Sequence, residues 1–228
     1  MKILAIETST MLGGVAIMDE AGIVVEIRLN VKATHSERLM VGIDSALRLA
    51  NLKLSEIDAY CLSIGPGSFT GLRIGLSTVK GFAFATGKPV VAVPTLDAFA
   101  WNFPFSKYPV CPMLDARKKE VYTSLYKWEG DRFVKVISEL SVRPEDLLKD
   151  IKGPVLFAGE GAGLYRETIL ALKGKDAFFA PSHSDVPMAS SVAFLGLNKA
   201  LRGEFSDPVT LTPFYIRRSE AEIKFGSL

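Results

Sequence analysis

Short apolar runs alternate with amphipathic stretches along the chain, and their spacing sorts them into strands and helices. Residues 2–6 read as a buried strand, and 13–18 and 23–29 as two more, with Gly13-Gly14 and the turn at 19–22 between them. Leu39, Met40, Ile43, Ala46, Leu47 and Ala50 then recur at helical spacing, behind a capping box formed by Thr34 and Glu37, and Asn51 closes that helix. A fourth strand at 59–64 runs through Gly65-Pro66-Gly67-Ser68 into a helix at 69–86 stopped by Gly87, and 88–93 reads as a strand again. Pro94, Pro104, Pro109 and Pro112 follow, which predicts a boundary near 102–109 and two subdomains, 1–104 and 105–228.

Beyond that boundary the opening pattern returns. Residues 110–114, 120–127 and 132–137 read as three strands joined by short turns. Glu7 and Asp115 are 108 residues apart, and so are the turn glycines Gly22 and Gly130. A common offset points to an internal duplication, although side-chain matches are otherwise modest and coincidence is the alternative. A helix at 144–150, a strand at 154–158, a glycine-rich turn at 159–163, helices near 164–172 and 188–201, and a last strand at 212–218 complete the reading. Three strands followed by alternating helix and strand, twice over, is an α/β pattern of the actin-like and sugar-kinase-like kind, in which two halves flank a cleft. Such a fold alone assigns no function.

The helix at 69–86 carries only two charges, Arg73 and Lys80, so it must be covered on most sides. Gly71, Gly75 and Thr78 share one face with Phe82, while Leu72, Leu76, Val79 and Ala83 share another. That arrangement suits a helix internal to the domain or one that also meets a second close-packed partner. In the loop before it, Gly65 and Gly67 open backbone angles closed to other residues, Pro66 fixes a torsion and Ser68 can cap the helix. The free amides there could hold a phosphate or simply turn the chain. A Walker-type ATPase is excluded, because Gly71, Leu72 and Arg73 stand where Lys and Ser or Thr are required.

With 228 residues, 48% of them apolar, and a mean hydropathy of +0.24, there is material for a full core. The formal net charge is +2 and the longest basic run is Arg117-Lys118-Lys119, so the chain lacks the footprint of an autonomous nucleic-acid binder. Two scattered cysteines, an early acidic residue at Glu7 and the lack of a bilayer-length apolar stretch predict a cytoplasmic protein with no membrane segment. His35 and His183 stand apart from each other and from any cysteine, which argues against a zinc hydrolase. No Gly-x-Ser-x-Gly surrounds Ser68, which reads as a helix cap. In the actin-like plan the turns holding Glu7, Thr8 and Ser9, and Asp115, would face nucleotide phosphates and hold magnesium through water, while Gly159 and Gly161 could pack on an adenine. Against this, no glycine adjoins the first turn. A small-molecule kinase of the same fold is the competing reading, and it requires ATP and magnesium.

Several strings resemble one family: Ile3-Leu4-Ala5-Ile6-Glu7-Thr8-Ser9-Thr10, His35-Ser36-Glu37-Arg38-Leu39, and the highly specific Gly65-Pro66-Gly67-Ser68-Phe69-Thr70-Gly71-Leu72-Arg73-Ile74-Gly75. Lys80-Gly81, Asp115-Ala116-Arg117 with Glu120-Val121-Tyr122, and Pro213 with Tyr215 and Arg217 continue the match in order. Together they resemble the bacterial TsaB (YeaZ) proteins. The resemblance implies an actin-like fold and a role in making threonylcarbamoyladenosine on tRNAs that read codons beginning with adenine. It implies a non-catalytic subunit that binds TsaD, with TsaE in the assembled complex and TsaC in the pathway, and that meets tRNA only through the complex. TsaD-like proteins carry His-Met-Glu-Gly-His where this chain has Thr95-Leu96-Asp97-Ala98-Phe99, so both metal-ligand positions and the basis for endopeptidase activity are lost. No cofactor is implied for the chain itself, and nucleotide binding stays open. Family members pair through the two helices of the first subdomain. The expected interface is therefore Leu39, Met40 and Ile43 with Gly71, Gly75, Thr78 and Phe82, set against TsaD or against a second copy in a homodimer.

Overall fold

A computed structural model of the protein describes residues 1–30 and 35–217. In chain order the strands and α-helices are β1 (Ile3–Glu7), β2 (Gly13–Asp19), β3 (Gly22–Leu29), α1 (His35–Leu49), β4 (Ala59–Ser63), α2 (Phe69–Thr86), β5 (Val90–Val93) and α3 (Thr95–Ala100). There follow β6 (Val110–Arg117), β7 (Glu120–Glu129), β8 (Arg132–Val142), α4 (Pro144–Asp150), β9 (Val155–Ala158), α5 (Glu160–Leu164), α6 (Arg166–Lys173), β10 (Ala177–Phe179) and α7 (Ala189–Leu201). Thr34, and the capping box it would form, lies outside the described residues, as does Arg218.

The strands make two five-stranded sheets of one plan. The first runs β3-β2-β1-β4-β5, the second β10-β9-β6-β7-β8, and in each an antiparallel meander is extended by two parallel strands. The equal offset therefore reflects a structural duplication: Glu7 ends β1, Asp115 lies near the end of β6, and Gly22 and Gly130 occupy the corresponding hairpin turns with φ of 131° and 64°. Those angles suit glycine and strain other residues. The fold is α/β of the actin-like class.

By packing the chain divides into Met1–Asn102 with Pro187–Pro213, and Phe103–Val186 with Phe214–Leu228. The crossing falls within the proline-rich stretch, but 105–228 is not one continuous subdomain: 187–213 belongs with the first unit. Side-chain alternation along β1 explains why. Leu4 and Ile6 join Val15, Ile17, Tyr60 and Leu62 beneath α1 and α2. Ile3 and Ala5 point the opposite way, with Ala16, Cys61, Val91 and Val93, and α7 covers them with Ala189, Val192, Ala193 and Leu197. Helical periodicity announces the apolar stripe of α7 but cannot say which sheet it will cover.

In the second unit Cys111, Met113, Val121 and Phe157 pack against Leu147 and Leu148 of α4 and Ile169 of α6. Three local expectations change here. Residues 160–163 lie in the short helix α5 rather than in a turn, and Gly161 lies so close to β6 that a Cβ would sit 2.9 Å from the Met113 carbonyl oxygen. Residues 212–217 form no strand, and the second sheet is instead completed by β10, whose three residues carry too little pattern to be read as one.

Gly196 of α7 meets Cys61 of β4 at a distance that leaves no space for a Cβ, which would lie 2.8 Å from the Cys61 Cβ and closer still to its sulfur. Burial pushes the Cys61 thiol up to about 12, which marks it as an inert packing group. Gly196→Ala gains up to about 1 kcal/mol of helix propensity and loses about 1–3 kcal/mol to overpacking. A net fall in stability is expected in urea unfolding, and wild-type stability would show that α7 does not seat on this sheet as described.

Candidate functional site

The loop between β4 and α2 is fixed from three sides. The Gly65 amide donates to the Thr95 hydroxyl at 3.1 Å, and the Thr95 amide returns a bond to the Gly65 carbonyl at 2.8 Å. The Ser68 amide donates to the Ser9 carbonyl at 2.6 Å, and a Cβ on Gly67 would lie 2.5 Å from that same oxygen. Ser68 then caps α2 by accepting from the Gly71 amide at 3.3 Å, and Gly87 ends the helix with φ of 70°. The Ser68 and Gly71 amides thus serve the chain itself, so for these two groups the loop turns the backbone and holds no phosphate. Thr95 pins this loop, and Phe99 is fully buried.

Beneath the loop, Glu7, Thr8 and Ser9 are sealed from solvent, with Glu7 at 0% exposure. The Ser9 amide donates to Glu7 Oε1 at 2.5 Å, while Glu7 Oε2 and the hydroxyls of Ser9 and Ser63 are buried with no hydrogen-bond partner among the described residues. Burial pushes the Glu7 carboxyl above its ordinary value of 4.5, against weaker opposition from the hydrogen bond of the Ser9 amide. Burial with few partners thus favours the neutral form of the carboxyl. In the second unit, Asp115 accepts from the Arg117 amide at 2.8 Å and pairs with the Arg117 guanidinium at 3.0 Å. The Gly159 amide is bonded to Asp185, and Gly161 is packed against Met113. Of the residues expected to face a nucleotide, Glu7 ends β1 in the first unit with Thr8 and Ser9 just beyond it, and in the second unit Asp115 lies near the end of β6 with Gly159 and Gly161 just after β9; Glu7, Gly159 and Gly161 are committed to internal bonds or packing.

Helices α1 and α2 of the first unit lie on one face of its sheet, and the structure corrects which sides look outward. Leu39 and Ile43 are core residues. Gly71 and Gly75 are buried as well, and a Cβ on Gly75 would collide with the Thr8 hydroxyl and reach Ile6. Thr78 bonds its own helix at the Ile74 carbonyl, and the half-buried Phe82 packs on Tyr60 with ring centroids 5.5 Å apart. Of the expected interface only Met40 is outward. On the exposed sides stand Met40 (51%), Val41 (63%) and Phe84 (65%), with Ser77, Gly81 and Ala85 as small exposed positions four apart on α2, together with the exposed charged residues Asp44, Arg48 and Arg73. Arg38, buried behind this face, ties α1 to the Leu29 carbonyl at 2.9 Å and to the Met11 carbonyl.

Because the folded value of Glu7 is raised, its contribution to stability is full below about 4.5 and is lost as pH rises through the folded value. Glu7→Gln, which keeps the acceptor for the Ser9 amide and places a neutral donor near the two hydroxyls, should raise stability at pH 8 relative to wild type and flatten its pH dependence above 4.5. Thermal unfolding at pH 5 and pH 8 checks this, and a variant less stable than wild type at pH 8 would mean that burial does not disfavour the charged carboxyl in the fold.

Comparison with known proteins places this geometry. The family described as "TsaD: tRNA N6-adenosine threonylcarbamoyltransferase" matches residues 20–225. The "tRNA threonylcarbamoyladenosine biosynthesis protein TsaB" of Bacillus subtilis is 33% identical over 99% of this chain and 98% of its own length, and the Escherichia coli protein of the same name is 27% identical over 92% and 94%. The solved structure "YeaZ from Pseudomonas aeruginosa" superposes with a TM-score of 0.81 at 29% identity, covering 94% of this chain and 99% of that one. Ethanolamine utilization protein EutJ from Carboxydothermus hydrogenoformans, at 12% identity and a TM-score of 0.55 over 85% of this chain and 89% of that one, shares the fold alone. With agreement along nearly its whole length, the chain belongs to the TsaB (YeaZ) family, within the wider group matched by the TsaD description.

Proposed function

We propose that this chain is a non-catalytic subunit that binds and supports TsaD in forming threonylcarbamoyladenosine on tRNAs reading codons that begin with adenine. The names of its relatives support the pathway. The observation that carries the subunit role is the outward face of α1 and α2, where Met40, Val41 and Phe84 are each more than half exposed beside the small residues Ser77, Gly81 and Ala85. Small residues four apart let a second helix approach closely, and exposed apolar side chains beside them gain about 1.5–3 kcal/mol each when fully buried. TsaD is the proposed occupant, and a second copy of the chain takes its place when TsaD is absent. TsaE joins the assembled complex, TsaC supplies the pathway, and tRNA is met through the assembly. Thr95 and Phe99, serving the loop and the core in place of two imidazoles, support the absence of metal chemistry in this subunit. A cytoplasmic setting is part of the same reading, and among the described residues no helix is long and apolar enough to cross a membrane.

Reconstitution of the modification from TsaC, TsaD and TsaE, with and without this chain, tests the reading. Loss of the modified adenosine on omission is expected, and unchanged yield would overturn it. The interface has its own test in two glycines of one helix. Gly81 has nothing within 4 Å of a built Cβ, so Gly81→Arg should leave the isolated chain folded while abolishing co-purification with TsaD. Gly75→Arg should instead lose the fold, by about 3 kcal/mol or more, because its side chain is driven into Thr8 and Ile6. Circular dichroism and pull-down on both variants separate the two effects.

A further inference from the structure

At the hairpin joining β6 and β7 the chain does what it avoids at its other meander turns. Gly22 and Gly130 take the positive φ between β2 and β3 and between β7 and β8. Between β6 and β7, Arg117, Lys118 and Lys119 adopt φ of 62°, 54° and 64° in succession, three of the five non-glycine residues with positive φ among those described. Arg117 pairs with Glu120 across the ladder, so Lys118 and Lys119 are the central residues of a two-residue turn of the kind that favours Asn-Gly. Side-chain-bearing residues are disfavoured there because Cβ crowds the carbonyl oxygen, and local propensity therefore gives no reason for two lysines.

The charge is arranged radially. The Asp115 side chain is recessed at 16% exposure and holds the Arg117 guanidinium, itself 83% exposed, at 3.0 Å. Glu120 accepts from Ser141 at 2.7 Å and from Arg217 at 3.1 Å. The Ser141 hydrogen bond, then Arg217, holds the Glu120 carboxyl below its ordinary value, so it stays ionised and engaged. The acids thus lie at the base of the hairpin while Lys118 and Lys119 project at its exposed tip. Strained backbone that is retained where it displays like charges points to use of those charges.

We propose that this tip is a contact for the phosphodiester backbone of RNA, an inference that rests on the proposed function for its choice of polyanion. Two lysines and an arginine are too few for autonomous binding, and they suit an auxiliary contact made by an assembled complex.

The test uses the full chain assembled with TsaD and an in vitro transcribed tRNA that reads codons beginning with adenine. Lys118→Asn with Lys119→Gly removes both charges and gives the turn its preferred residues. The variant should melt roughly 2–6 °C higher while its complex binds the tRNA about tenfold more weakly near 0.15 M salt, with the log–log salt slope reduced by about 2. Lys118→Gln with Lys119→Gln should lose the same affinity without the gain in melting temperature, and Lys118→Arg with Lys119→Arg should retain binding. Wild-type affinity and slope in the Asn-Gly variant would overturn the proposal, as would a loss confined to TsaD binding, which would mark the tip as a protein contact. If omission of the wild-type chain leaves the modification intact, the function and this inference both fall; if the chain is required and the variant binds tRNA normally, only the inference does.

Discussion

The closeness with which α2 and its leading loop approach the end of β1 organises the first unit. Gly67 lies against the Ser9 carbonyl, the Ser68 amide is bonded to it, and Gly75 lies against the Thr8 hydroxyl. Three segments, the turn after β1, the loop after β4 and the start of α2, are thereby joined with no room for a side chain between them. Any Cβ at Gly67 or Gly75 would push the helix off the sheet. The glycines that define the most specific string of the sequence are thus explained by packing inside one unit. The same approach covers Glu7 and favours its neutral form.

This constraint also decides which side of α2 is exposed. The inner face of α2 is used up by the sheet and by Thr8, which leaves the stripe through Ser77, Gly81 and Phe84 outward. The low charge of α2 matches its buried contact with its own sheet on one side, while the other side exposes Arg73 and Ser77 beside Gly81, Phe84 and Ala85. Arg38 steadies that surface from behind by bridging α1 to the ends of neighbouring segments.

Much of the architecture was legible in the sequence. The bounds of α2 follow from Ser68 and Gly87, whose capping geometry is local, and the duplication follows from an offset shared by an acidic strand end and a glycine turn. The outward sides of the helices were not legible, because small and apolar residues surround α2 and no polar stripe marks its solvent side; Gly71 and Gly75 look like an interface until the Thr8 side chain is seen beneath Gly75. The partner sheet of α7 depends on a long-range contact between Gly196 and Cys61 that no periodicity encodes. The turn at Arg117 to Lys119 was visible only as a basic run, since its strain is a property of backbone angles.

The return of α7 to the first sheet has a consequence for synthesis. A ribosome delivers β1 to β5 long before it delivers residues 189–201, so one whole side of that sheet, with Ile3, Ala5, Ala16 and Val91, stays bare while the entire 103–186 unit is being made. Nascent chains caught in that interval expose an apolar surface that invites aggregation or a holding chaperone. Completion of the first unit is therefore coupled to translation of residues 189–201.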